Sequence, residues 1–151
     1  MSQMHTPHTQ SDDYATKVHV FTYGSLMFTD VFLQVTGQLS QSVPAILTRW
    51  RRYGLKGLTY PGALRTDHAD DCIEGVLWLD VSPAAIAALD QFEGEQYRRV
   101  NVQVQTVDGR SHEAQIYEWL LHSQVDGAWS PERFSRDHRA SFVQIHGQQR
   151  Q

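Results

Sequence analysis

Val100-Asn101-Val102-Gln103-Val104-Gln105-Thr106-Val107-Asp108-Gly109 alternates apolar and polar residues. A period of two puts the valines on one face of a strand and the polar residues on the other, wet face. Asp108-Gly109 then reads as a two-residue type I′ hairpin signal. The return strand is expected over residues 113–121, with Tyr117 and Trp119 on one face. An antiparallel pair in the middle of the chain argues against a purely parallel, doubly wound sheet.

Ser130-Pro131 opens a last helix, with Ser at the N-cap and Pro at the first helical position, expected to reach about Ile145. Ser82-Pro83 opens an earlier helix in the same way. Ile86, Leu89 and Phe92 form its buried stripe, and Gly94 is its natural stop. Residues Cys72–Val81 form a strand in which Gly75 marks a bulge or bend. The first strand is expected over residues 17–23, with apolar bulk on both faces. Thr29 is expected to cap a short helix over residues 30–35, ending at Gly37. Residues 43–53 read as one edge strand, Tyr60-Pro61-Gly62 as a turn or edge feature, and residues 65–71 as a loop. Strands predominate, and helices fall only between or after them. The class is α+β, and glycines inside strands favour a curled, barrel-like mixed sheet. One domain is expected over residues 17–147, after a polar, disordered tail (1–16) and before a frayed end (148–151).

The length of 151 residues suits a single core. A net charge of -4 argues against a general electrostatic binder of nucleic acid. Arg49-Trp50-Arg51-Arg52-Tyr53 admits two readings, a stacking patch for nucleic acid or the solvated basic face of an edge strand. No apolar run approaches a membrane span, and the polar N-terminus lacks a signal core, so a cytoplasmic location is expected. Cys72 is the sole cysteine, flanked by acids that do not activate a thiol. The histidines, including His5 and His8, show no ligand spacing, so no metal is expected.

Two stretches carry possible chemistry. Val20-Phe21-Thr22-Tyr23-Gly24-Ser25-Leu26-Met27 is a strand that breaks at a Gly-Ser pair before a helix. Such a turn offers backbone N–H groups to an anion, and Gly24 allows close approach; it also fits an ordinary tight turn leaving a core strand. It matches neither the dinucleotide fingerprint nor the phosphate-binding loop, and the nucleophile elbow GxSxG is absent. In Leu89-Asp90-Gln91-Phe92-Glu93-Gly94-Glu95-Gln96-Tyr97-Arg98-Arg99, Glu93 falls at a helix C-terminus. The negative end of the helix dipole disfavours its ionisation, and burial in an apolar cavity would push the same way. That would suit a general acid/base, whereas solvated surface acids would not be perturbed.

Tyr23-Gly24-Ser25-Leu26, Tyr60-Pro61-Gly62 and Leu89-Asp90-x-Phe92-Glu93-Gly94-x-x-Tyr97-x-Arg99, in that order and spacing, resemble the gamma-glutamylcyclotransferase-like family. The resemblance is closest to its avirulence-induced-gene-like and gamma-glutamylamine cyclotransferase branch. It runs from about Lys17 to the final helix. It implies a small mixed β-barrel flanked by short helices. It implies that the loop around Tyr23, Gly24, Ser25, Leu26 and Met27 holds the α-carboxylate end of a γ-glutamyl substrate through backbone N–H groups. Glu93 is then the catalytic acid/base, and Tyr97, Arg99 and Tyr117 are further substrate-binding candidates. The implied reaction is an acyl transfer within one molecule that releases 5-oxoproline, with no metal or organic cofactor and a small molecule as the only partner. Oligomeric state is left open. A non-catalytic binding or interaction module on the same barrel is the competing reading.

Overall fold

A computed structural model describes residues 17–125, 127 and 129–137. The expected tail, the last helix beyond residue 137 and the frayed end lie outside the described residues. Five strands close into a barrel in the order β1 (Val18–Thr22), β5 (Cys72–Val81), β2 (Ser42–Thr48), β6 (Tyr97–Thr106) and β7 (Ser111–Trp119). All contacts are antiparallel except β1 with β7, which is parallel, so the sheet is mixed as expected. A separate two-stranded ribbon pairs β3 (Trp50–Tyr53) with β4 (Gly62–Arg65). The helices are α1 (Thr29–Thr36), α2 (Pro83–Glu93) and α3 (Pro131–Asp137).

Alternation along the strands divides the core in two. Phe21, Leu77, Val102, Val104, Ala114 and Ile116 belong to one cluster. Their immediate neighbours Val20, Trp78 and Tyr117 belong to a second, shared with Leu89 of α2 and Phe32 of α1. Helices therefore cover part of the barrel, and β1 is buried on both faces because its sequence is apolar on both. Phe32 stacks on Trp78 with centroids 4.0 Å apart.

Local chemistry explains the element ends. Ser82 Oγ accepts from the Ala85 N–H, and Pro83 occupies the first helical position of α2. Gly94 ends that helix at φ 86°. Gly37 closes α1 in the left-handed region.

Three expectations change. The N-cap of α1 is Phe28, with no side-chain cap, and Thr29 lies inside the helix. The Asp30 carboxylate supplies a local acceptor instead, for the Val31 N–H at 2.9 Å. Residues 43–53 are two strands, because Arg49 adopts φ 67° and leaves the barrel. Its N–H donates to the Asp71 carbonyl and its carbonyl accepts from the Thr66 N–H, which fixes the corner. The β6–β7 connection is not a two-residue type I′ turn. Thr106 and Arg110 bracket three loop residues, and the only left-handed one is Gly109. A type I′ turn needs positive φ at both central residues, and here Asp108 instead accepts from the Thr106 hydroxyl and the Arg110 N–H.

Gly75 is needed where β1 crosses β5. A Cβ there would run into the Thr22 carbonyl oxygen and come within 2.7 Å of Phe21 Cζ. Gly75→Ala is expected to destabilise the protein by about 1–3 kcal/mol, the usual range for overpacking. Urea unfolding of the two proteins measures the difference.

Candidate active site

Where β1 ends, a cavity of about 160 Å³ opens. It is walled by Tyr23, Gly24, Ser25 and Leu26 on one side and by Phe92 and Glu93 of α2 on another. Tyr60, Pro61, Tyr97 and Tyr117 complete it, with Phe21 and Thr22 at the base of the strand. The two stretches singled out in the sequence, some seventy positions apart, thus share one space. Met27 and Arg99 lie outside the lining. Met27 ends the 3-10 turn Ser25–Met27, and its N–H donates to the Gly24 carbonyl. Arg99 sits at the rim, in a shallow depression shared with Asp90, Gly94, Tyr97 and Tyr117.

The loop is held from three directions. Arg52 Nη1 donates to the Tyr23 carbonyl at 2.8 Å. Trp78 Nε1 donates to the Leu26 carbonyl at 3.1 Å. Gly24 packs so closely on Pro61 that a Cβ would lie 2.8 Å from two of its ring carbons. With its carbonyls engaged, the loop leaves its donors over. Among the described residues, the N–H groups of Gly24, Ser25 and Leu26 have no acceptor. The Ser25 hydroxyl borders the cavity and has no partner among the described residues.

The tyrosines are fixed by their own protons. Tyr23 donates to the Tyr117 carbonyl at 2.6 Å, Tyr97 to the Pro61 carbonyl at 2.6 Å, and Tyr117 to Asp90 Oδ1 at 2.7 Å. Burial, first of all, holds all three phenols above their usual range, so they remain protonated at neutral pH. Each hydroxyl proton is committed to the protein. Toward the cavity these oxygens can only accept.

Glu93 is the last residue of α2. It is half-buried because it lines the cavity, but it lies deep enough that lost hydration dominates its ionisation. Burial first, and then the negative charge of Asp90, push its carboxyl up to about 8. No described residue donates a hydrogen bond to it or pairs with it. Among the described residues, no group of three or more His, Cys, Asp or Glu is placed to hold a metal ion. The lining therefore combines unpaired donors of the loop with a proton-holding carboxyl and acceptor phenol oxygens. That combination suits a zwitterion carrying both a carboxylate and an amine.

Sequence reasoning missed Arg52 and Asp90. In the sequence Arg52 is one of a cluster of basic residues, and nothing adjacent shows that it reaches the Tyr23 carbonyl from the ribbon. Asp90 stood within the quoted motif, but its partner Arg99 is brought to it only by the start of β6.

Residues 20–134 match the family described as gamma-glutamyl cyclotransferase, AIG2-like. AIG2-like protein D of Arabidopsis thaliana is 30% identical over 130 residues, covering 83% of this chain and 84% of that protein. Protein AIG2 C of the same plant is 31% identical over 129 residues, covering 83% and 77%. A solution structure of an Arabidopsis thaliana protein superposes with a TM-score of 0.68 at 28% identity, over 89% of this chain and 82% of that one. A solved gamma-glutamyl cyclotransferase shares the fold, with a TM-score of 0.63 at 17% identity over 88% and 79%. Among the described residues, no helix is long and apolar enough to cross a membrane.

The state of Glu93 has a consequence for stability. Its folded value of about 8 lies above the ordinary 4.5. The native state therefore favours the protonated form, and that stability is complete below about 4.5 and is lost as pH rises toward 8. Glu93→Gln cannot ionise. It is expected to match the wild type in acid and to exceed it by on the order of 2–3 kcal/mol near neutrality, as read from urea midpoints across pH. In Gly24→Ala, the loop must move off Pro61. Its expected signature is weaker ligand binding with a melting temperature lowered by only a few degrees.

Proposed function

This chain belongs to the gamma-glutamyl cyclotransferase, AIG2-like family, and on that premise we propose that it is a γ-glutamyl cyclotransferase with Glu93 as its acid/base. The observation that carries the proposal is the raised, unpaired carboxyl of Glu93 across the cavity from the unpaired amides of Gly24, Ser25 and Leu26.

The substrate is a γ-glutamyl compound with a free α-amine. Its α-carboxylate docks on the loop amides and the Ser25 hydroxyl, which are unpaired donors in the lining. Its α-ammonium then faces Glu93 and the phenol oxygens. Glu93 takes a proton from the ammonium. The freed amine nitrogen attacks the γ-carbonyl carbon, a C–N bond forms, and a five-membered ring closes over a tetrahedral oxyanion. Glu93 returns that proton to the departing nitrogen, the original C–N bond breaks, the ring nitrogen gives up its second proton to Glu93 and through it to the released amine, and neutral-lactam 5-oxoproline and an ammonium or amino acid leave. Every proton is conserved, so no co-reactant is required.

Two physical terms support this chemistry. Nucleophile and electrophile belong to one molecule, so the aromatic walls need only fold the chain into the attacking geometry. A carboxyl raised to about 8 is a far better acceptor for an ammonium proton than an ordinary carboxylate and can still return it to the departing nitrogen.

The test is release of 5-oxoproline from a panel of γ-glutamyl amines and γ-glutamyl amino acids. The wild type is expected to turn over at least one of them, with kcat/KM rising through about pH 8 as Glu93 ionises. Glu93→Gln is expected to lose about a thousandfold or more while still binding ligand. Full turnover by that variant would end the assignment. Silence of the wild type across the panel, with thermal stabilisation by the same compounds, would replace it with a binding module.

A further inference from the structure

Asp90 and Arg99 make the strongest ion pair at the rim, and the proposed chemistry uses neither. Arg99 Nε donates to Asp90 Oδ1 at 2.9 Å and Nη2 to Oδ2 at 3.0 Å, a two-pronged contact. Its remaining amine, Nη1, donates to Gln115 Oε1 at 2.6 Å, and Gln115 in turn donates to Asn101. Asp90 also accepts the Tyr117 hydroxyl proton. The Tyr117 carbonyl accepts from Tyr23, and the Tyr23 carbonyl accepts from Arg52. A continuous hydrogen-bonded frame therefore runs from β6 through α2, β7 and the end of β1 to the ribbon. It has an arginine at each end and borders the cavity.

Asp90 stands three residues before Glu93 on α2, so the two carboxyl groups lie on neighbouring positions of one helix face. We infer that the Asp90–Arg99 pair is a positioning device for Glu93: Asp90 fixes Tyr117 as an acceptor beside the acid/base, and Arg99 controls how much of the Asp90 charge Glu93 meets. The inference rests on the proposed role of Glu93.

The charge balance is legible group by group. For Asp90, burial works upward, but hydrogen bonds from Arg99 and Tyr117 and the Arg99 charge outweigh it, leaving the carboxyl below its ordinary value. Asp90 is therefore ionised throughout the working range. Arg99 is itself raised, chiefly by its hydrogen bond to Asp90. The other titratable groups around Glu93 are the phenols of Tyr23 at the end of β1, Tyr60 before β4, Tyr97 at the start of β6 and Tyr117 on β7, with Arg52 and Glu118 acting on Tyr23 from behind. Burial holds the phenols of Tyr23, Tyr97 and Tyr117 above their usual range, so these three are neutral. Asp90 is thus the fixed charge that bears on Glu93 from its own helix, and Arg99 is the counter-charge that moderates it.

Opposite substitutions should then move Glu93 in opposite directions. Asp90→Asn keeps an acceptor for Tyr117 but removes the negative charge and leaves Arg99 uncompensated. The rising limb of kcat/KM should shift by about one pH unit toward acid. Arg99→Gln exposes the full Asp90 charge, and the limb should shift by a similar amount toward alkali. Combining the two should bring it back close to the wild-type position. Asp90→Ala, which also frees Tyr117, should lose roughly tenfold more kcat than Asp90→Asn at the optimum of each. A purely structural ion pair would lower stability in all of these proteins without opposed pH shifts.

The decisive measurement does not depend on turnover. Carboxyl-carbon NMR titration of Glu93 in the wild type, Asp90→Asn, Arg99→Gln and the double variant reads the same ordering directly. Opposed titration shifts with opposed kinetic limbs support the inference. Shifts in one direction only, or none, overturn it. Opposed NMR shifts in a protein that releases no 5-oxoproline would overturn the catalytic assignment while upholding the electrostatic role of the pair.

Discussion

Strand β1 is gripped along both edges, antiparallel to β5 and parallel to β7, and the geometry of the cavity is set by the point at which that double grip ends. At Thr22 the ladder with β5 stops, and the chain turns at Gly24 into a short 3-10 segment. The turn is tight because Gly75 lets the Thr22 carbonyl come close and Gly24 lets Pro61 come close. Closing the barrel there brings β7, and so Tyr117, next to β1. The C-terminal end of α2 arrives at the same place because Leu89 and Ile86 bury its apolar stripe in the core cluster that also holds Tyr117. The meeting of loop, phenols and Glu93 is a consequence of closure.

The polar groups around that meeting point are divided by whether the protein satisfies them itself. The loop carbonyls are taken by Arg52 and Trp78, and the tyrosine protons by carbonyls and Asp90. What remains is a set of donors on one wall and a carboxyl without a partner on the other. These groups border the cavity, where a ligand of complementary charge can satisfy them. This is the expected signature of a site, since structural cores satisfy their polar groups internally.

Much of this arrangement was legible locally. The period-two valines, the Ser-Pro helix starts, the stops at Gly37 and Gly94 and the extent of strand Cys72–Val81 all depend on side-chain chemistry within a few residues and fold as read, although pairing with β2 runs through Gly75 without a bulge. The errors fall where a distant partner decides. Arg49 takes a left-handed conformation because the Asp71 and Thr66 backbones are there to bond it, and nothing adjacent in sequence announces that corner. Asp108 was read through its glycine, but its own carboxylate, bonded to Thr106 and Arg110, selects a longer loop.

By itself, the sequence determined most of the strands and helices, that the sheet is mixed and curled, and that a glycine turn and a helix-terminal glutamate are the two places worth attention. These follow from periodicity, capping and backbone freedom, which act over a few residues. Only the tertiary structure decided that the two places face one cavity, that Met27 and Arg99 stay outside it, and that Asp90 and Arg52 belong to its frame. The ionisation of Glu93 was decided in the same way. A helix end alone gives a modest push, whereas the rise to about 8 comes first from lost hydration and then from the charge of Asp90. Burial and charge proximity are properties of the packed molecule, because they depend on atoms that the chain brings together from far apart.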